Sequence, residues 1–128
     1  MKNLKKFVGV LLLTMMMMMP IMANAATKYF TFQIKHQLSI GSFTSTKNSV
    51  TGTVTMSKWG TDTSFDIKIY KKNWGSVDYI GKMTFTKSSA GSPYKSTNYN
   101  VKSGTTYGYE IWKTQNNNEI VGSGSLSY

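Results

Sequence analysis

A chain of 128 residues whose 15 basic side chains are all lysine, set against five acids, carries a formal charge of +10, with no cysteine and a single histidine. That composition excludes disulfide frameworks, thiol catalysis and cysteine-ligated metals, and it leaves an ordinary hydrophobic core to stabilise one small domain. The lack of arginine argues against nucleic acid as a partner, because arginine supplies the bidentate phosphate and guanine contacts and stacks on bases.

Met1-Lys2-Asn3-Leu4-Lys5-Lys6 places three lysines and no acid ahead of a continuous apolar run from Phe7 to Met19. Pro20 interrupts that run, and Ala23-Asn24-Ala25 offers the small side chains that a signal peptidase takes at −3 and −1. This order predicts a bacterial-type secretory signal peptide over residues 1–25, cleaved after Ala25, and a secreted, extracellular product. The apolar run falls short of the roughly 20 residues a bilayer span needs. The Met15–Met19 repeat is then discarded with the leader. Residues 26–128 form the expected single mature domain, and Gly124-Ser125-Leu126-Ser127-Tyr128 adds no charged tail or second apolar stretch. Loss of the three leader lysines leaves twelve against five acids, a formal +7 that attracts anionic polymers and anionic membrane surfaces.

From Tyr29 onward the chain alternates strand and turn without helical periodicity. The first expected strand is Tyr29 to Ser39, with Phe30, Phe32, Ile34 and Leu38 on one face. Gly41 to Asn48 reads as a polar connection containing Phe43. A second strand, Ser49 to Met56, turns Val50, Val54 and Met56 inward and a ladder of Thr51, Thr53 and Thr55 outward. After a turn at Trp59-Gly60-Thr61-Asp62, the third strand, Ser64 to Lys71, alternates Phe65, Ile67 and Ile69 against Asp66, Lys68 and Tyr70. Lys71-Lys72-Asn73-Trp74-Gly75 reads as a hairpin connection. The fourth strand, Val77 to Thr86, is expected to bury Tyr79, Met83 and Phe85, with a bulge or bend at Gly81. Lys95 to Val101, Thr105 to Lys113 and Glu119 to Tyr128 complete seven short strands. Turns every 8 to 15 residues predict an all-β, seven-stranded antiparallel sandwich.

Val101-Lys102-Ser103-Gly104-Thr105-Thr106-Tyr107 places an apolar residue, a glycine-containing turn and a tyrosine in the order found between strands E and F of immunoglobulin-like and fibronectin type III domains, which this segment resembles. The resemblance implies an immunoglobulin-like sandwich in which Tyr107 is the corner tyrosine, its hydroxyl bonded to backbone before the turn, and Val101 is buried. The third strand departs from those domains in carrying Phe65, Ile67 and Ile69 but no tryptophan.

Catalytic, cofactor and metal-binding residues are not assigned. His36 sits in phase with the buried set and reads as a rim residue. Asp66, Asp78 and Glu110 fall on outward positions with Lys68, Lys82 and Lys113 nearby, which predicts cross-strand ion pairs. Asp62 stands alone in its loop, without the alternating acids of a calcium site. A non-enzyme is therefore expected.

What remains is surface. Trp59 beside Lys58, Trp74 beside Lys71 and Lys72, and Tyr70 and Trp112 fall out of phase with the core, as does Tyr29. Rings at turns flanked by lysines suit stacking on the sugars of an anionic wall or matrix polymer, or anchoring at an anionic membrane surface. Expected functions are accordingly a secreted binding module at the cell envelope or extracellular matrix, a cationic membrane-active protein of antibacterial or toxin type, or a protein inhibitor using the Lys87–Tyr94 loop.

Overall fold

The computed structural model describes residues 25–128, so the expected leader, Ala25 apart, lies outside the described residues. Eight strands follow in chain order: β1 (Thr27–Ile34), β2 (Gln37–Thr44), β3 (Val50–Lys58), β4 (Ser64–Asn73), β5 (Ser76–Thr86), β6 (Tyr94–Asn98), β7 (Thr106–Trp112) and β8 (Ile120–Ser127). They form two four-stranded sheets, β1-β8-β3-β6 and β2-β7-β4-β5, in which every pairing is antiparallel. The fold is the all-β antiparallel sandwich expected, with eight strands where seven were read.

The additional strand arises where the first predicted one breaks. At Lys35-His36 the chain leaves one sheet and enters the other, so one run of alternating residues serves both. The crossing is pinned by the Lys113 N–H donating to the His36 carbonyl at 2.7 Å and by His36 Nδ1 lying 2.7 Å from the Lys113 carbonyl. β2 then continues to Thr44, and a bulge between Ser39 and Gly41 reverses which face its side chains take. Phe43 consequently lies in the core at 2% exposure; Leu38, read as buried, precedes the bulge opposite the buried Ile111, but near the start of this edge strand it is 40% exposed.

Two further bulges have the same effect. Between Met56 and Lys58 the β3 register shifts by one residue, which turns Trp59 inward against Phe65 and Tyr94, at ring distances of 5.7 and 5.5 Å. On β5 the extra residue is Ile80, next to Gly81: Ile69 pairs with Gly81 but Tyr70 pairs with Tyr79. Tyr79, read as buried with Met83 and Phe85, is therefore placed on the outer face.

The strand order departs from an immunoglobulin domain. There the last strand joins the sheet of its predecessor; here β8 inserts between β1 and β3 in the opposite sheet, and β2 occupies the place beside β7. β8 can lie this close because of Gly122 and Gly124, where an added Cβ would approach Phe32 Cζ and Phe30 Cζ to 2.7 and 2.8 Å. The corner itself is present. The Lys102 N–H donates to the Tyr107 hydroxyl at 2.8 Å, and Val101 is buried.

The sandwich has two chemically different ends. At one, Lys113 is wholly enclosed, its ammonium 3.0 Å from Asp62 Oδ2 and donating to the carbonyls of Lys35 and Thr114 and to Asn116 Oδ1 at 2.9, 2.8 and 2.6 Å. Burial alone would push the Asp62 carboxyl up, but hydrogen bonds from Asn118, Asn116 and Lys113, with the Lys113 charge, hold it below its ordinary value. At the other end Ala26 and Tyr128 exchange backbone hydrogen bonds of 2.8 and 2.9 Å. The β4–β5 turn projects at this second end, since β4 runs from Asp66 opposite Trp112 to Tyr70 opposite Gly108 and onward to Asn73.

Candidate functional site

The outer faces of the two sheets differ. On β1-β8-β3, the residues Thr31, Thr53, Thr55, Ser123 and Ser125 give an uncharged hydroxyl surface. The outer face of β2-β7-β4-β5 carries instead Asp66, Lys68, Tyr70, Lys72, Glu110 and Trp112. Tyr29 and Lys95 stand exposed on the first sheet, opposite Ser125 and Thr53, while the second face carries the larger cluster of charges and rings and leads into the β4–β5 hairpin.

Beyond Tyr70, β4 has no partner in β7 and pairs only with β5, as a two-stranded ribbon from Lys71–Asn73 to Ser76–Asp78. The ribbon closes through Trp74-Gly75, where Gly75 supplies the positive φ of +80° that an L side chain resists. Trp74 stands at the tip fully exposed. Lys71 and Lys72 are exposed on one limb, Val77 and Tyr79 on the other. The Asn73 side-chain amide donates to Asp78 across the ribbon. Tyr79 meets the Tyr70 ring edge-on at 5.7 Å.

Next to the ribbon the same face is indented by an open groove of about 730 Å³, within the range of small-ligand clefts. It runs from Ser39, Gly41 and Ser42 on β2, over Gly108 and Glu110 on β7, to Tyr70 and Lys72 on β4. The Tyr70 hydroxyl donates to Glu110 Oε1 at 2.9 Å. Burial, this hydrogen bond and the Glu110 charge push the Tyr70 phenol up to about 12, so it stays a neutral donor.

The residues singled out in the sequence divide into two groups. Tyr70, Lys71, Lys72 and Trp74 come together on the β4–β5 hairpin. Trp59 is a core residue at 9% exposure, which corrects its reading as surface. Lys58 pairs with Glu119 at 3.6 Å. Trp112 is half-buried, beneath Lys68 Nζ at 4.0 Å and edge-on to His36 at 5.8 Å. Val77, Tyr79, Gly108 and Glu110 belong to the hairpin and its groove and were not anticipated. The signal for Tyr79 in the sequence is Gly81, whose adjoining bulge shifts the alternation by one residue.

The acids are engaged individually. Asp66 is met by Lys82 at 3.5 Å and the Thr84 hydroxyl at 2.7 Å, Lys113 pairs with Asp62, the acid expected to stand alone in its loop, and Asp78 and Glu110 make no ion pair among the described residues, where cross-strand pairs were expected. Among the described residues no group of three or more His, Cys, Asp or Glu is placed to hold a metal ion. In the Lys87–Tyr94 loop, Ser92 Oγ accepts the Met56 N–H at 2.9 Å, tying the segment to β3.

No protein-family profile and no curated protein matches this chain. Among solved structures it is similar to PliG of Aeromonas hydrophila, a periplasmic lysozyme inhibitor of g-type lysozyme, at 13% identity over 85% of this chain and 90% of that one, with a TM-score of 0.44. It is also similar to the SPBc2 prophage-derived protein YomS, at 11% identity over 84% of this chain and 98% of that one, with a TM-score of 0.44. Neither likeness assigns an activity to this chain.

Proposed function

We propose that this protein is an exported, non-catalytic binding module that holds anionic polymers of the cell envelope or extracellular matrix through its β4–β5 hairpin. The observation that carries this reading is the fully exposed Trp74 at the tip of a ribbon bearing Lys71 and Lys72. A large ring left in water on a stiff two-residue turn has no role in the core, and it offers a flat apolar surface at little conformational cost. The lysines add a charge attraction that salt screens. The formal +7 of residues 26–128 draws an anionic polymer to the molecule, and the hairpin gives it a place to dock.

The test is co-sedimentation of the domain with insoluble wall and acidic polysaccharide fractions at two salt concentrations. Trp74→Ala should weaken binding by about tenfold, equivalent to ~1.4 kcal/mol, and Lys71→Ala with Lys72→Ala should remove most of the salt dependence. Absence of wild-type binding at low salt would refute the reading.

The apolar extension of the tip by Val77 and Tyr79, which are 58% and 53% exposed, favours a second reading as a membrane-active cationic protein. In that case Trp74 fluorescence shifts to the blue on vesicles containing anionic lipid, and dye is released from them but not from zwitterionic ones. No release from either would exclude it.

A further inference from the structure

We propose that the groove at Gly108 is a saccharide subsite, in which Glu110 accepts hydroxyls of a pyranose ring and Lys72 meets an acidic substituent on that ring or its neighbour. The inference rests on the polymer-binding reading above and names the unit of the polymer that is recognised.

Gly108 is the first ground. An added Cβ at Gly122 or Gly124 would collide with Phe32 or Phe30, so packing explains those glycines; at Gly108 the nearest atom is the Gly41 carbonyl oxygen, 3.8 Å away. Nor does Gly108 have the positive φ that accounts for Gly75 or Gly104. Neither packing nor backbone conformation asks for a glycine in the middle of β7, where glycine weakens a strand. What its missing side chain does is deepen the groove between Ser42 and Tyr70, the strands that pair with it on either side.

Glu110 is the second. Asp62, Asp66 and Glu119 each have a lysine partner, whereas Glu110 and, on the hairpin, Asp78 make no ion pair among the described residues, and of these two only Glu110 lines the groove. One of its oxygens is occupied by the Tyr70 hydroxyl, which fixes the carboxylate and leaves the other oxygen for a ligand in the groove. A fixed carboxylate beside an aromatic ring matches a sugar, whose hydroxyls donate charge-assisted hydrogen bonds and whose C–H face packs on the ring. Ser39 and Ser42 add hydroxyl partners along one wall. A cationic peptide would satisfy Glu110 alone but would meet Lys72 at the hairpin end and the positive charge of the whole chain. An acidic glycan satisfies both ends.

The experiment titrates the domain with short oligosaccharides, one set carboxylated, one phosphorylated and one neutral, alongside the polymer co-sedimentation. Two variants separate groove from tip. Gly108→Leu puts a side chain into the groove, its Cβ at an ordinary contact distance of 3.8 Å from the Gly41 carbonyl oxygen, and Glu110→Gln keeps the shape and a hydrogen-bond acceptor for Tyr70 while removing the charge. Binding of a carboxylated or phosphorylated oligosaccharide that falls at least tenfold in both variants, at unchanged melting temperature, supports the subsite, and the set that binds identifies the substituent. A lowered alkaline midpoint of Tyr70 in Glu110→Gln verifies that the intended contact was altered. If wild type holds the polymer and Gly108→Leu holds it equally well, the subsite is refuted while the hairpin reading stands. If polymer binding is absent but an acidic oligosaccharide binds in a Gly108-sensitive way, the hairpin reading falls and the subsite stands. Binding of none of the probes overturns it, as does loss of folding confined to Gly108→Leu with Glu110→Gln binding like wild type.

Discussion

Replacing Lys113 by methionine keeps an unbranched stem of similar length in the enclosed end of the sandwich and deletes only the ammonium. In the native structure that ammonium is wholly inaccessible, 3.0 Å from Asp62 Oδ2, whose side chain is 9% exposed. It also satisfies the Lys35 and Thr114 carbonyls and Asn116 Oδ1. Removing one partner of a buried pair costs about 3–5 kcal/mol, because the remaining charge is left without compensation. Asp62 retains the amides of Asn116 and Asn118, which places the cost toward the lower part of that range. For a domain of this size, each kilocalorie per mole lowers the melting temperature by roughly 4–8 °C, so a drop of at least about 12 °C is expected by calorimetry or by circular dichroism. Lys68→Met, which removes an ammonium lying over Trp112, should cost only about 0.5–1 kcal/mol. Adding Asp62→Asn to Lys113→Met should recover part of the loss, since no buried charge then remains. A Lys113→Met protein within about 1 kcal/mol of wild type would show that the ammonium does not hold this end together.

Acid titration follows the same pair. The Asp62 carboxyl lies below its ordinary 3.8, so its contribution is complete above that pH and is lost as pH falls through the lower folded-state value. In Lys113→Met the burial effect is less opposed, and the onset of acid unfolding should move to higher pH. Trp59→Ala should cost about 3–5 kcal/mol as a core truncation, against less than about 0.5 kcal/mol for Trp74→Ala; equal costs would contradict their assignment to core and tip. Gly122→Ala should lose about 1–3 kcal/mol from crowding against Phe32 and the Thr55 carbonyl, measured by urea unfolding, whereas Gly108→Ala should be close to neutral. At high pH, Tyr70 contributes stability below its ordinary 10 that disappears as pH rises through about 12. Tyrosinate absorbance should show its late step moving to lower pH in Glu110→Gln.

The fold class was legible because the inward residues Phe65, Ile67 and Ile69 and Tyr107, Tyr109 and Ile111 obey strict alternation, and burial enforces alternation in an antiparallel sandwich. Reading failed where a bulge reverses alternation. Phe43, Trp59 and Tyr79 each lie within three residues of one, and each was assigned to the wrong environment. A bulge leaves little trace in residue types, apart from a nearby glycine at two of the three sites. The change of sheet at Lys35-His36 was invisible for a related reason, since the side chains before it continue an unbroken pattern while only the hydrogen-bond partners change. Of the candidate surface, the hairpin half was visible because Lys71, Lys72 and Trp74 are contiguous. The groove half was not, because Gly108, Glu110 and Ser42 meet only through pairing of distant strands. Enclosure of Lys113 had no signal in the sequence, where it is one of several lysines near outward acids and lysine is almost always solvent-exposed.

The backbone bonds between Ala26 and Tyr128 fix where any attachment to the domain must leave it. Both exits share the end that bears Trp74, so a purification tag or fused reporter at either one lies on the hairpin's side of the domain, and immobilisation through either sets that end nearer the support. The Asn116-Asn117-Asn118 turn lies at the opposite end, beside Asp62. A probe carried there, at the outward Asn117, would leave the hairpin facing solution.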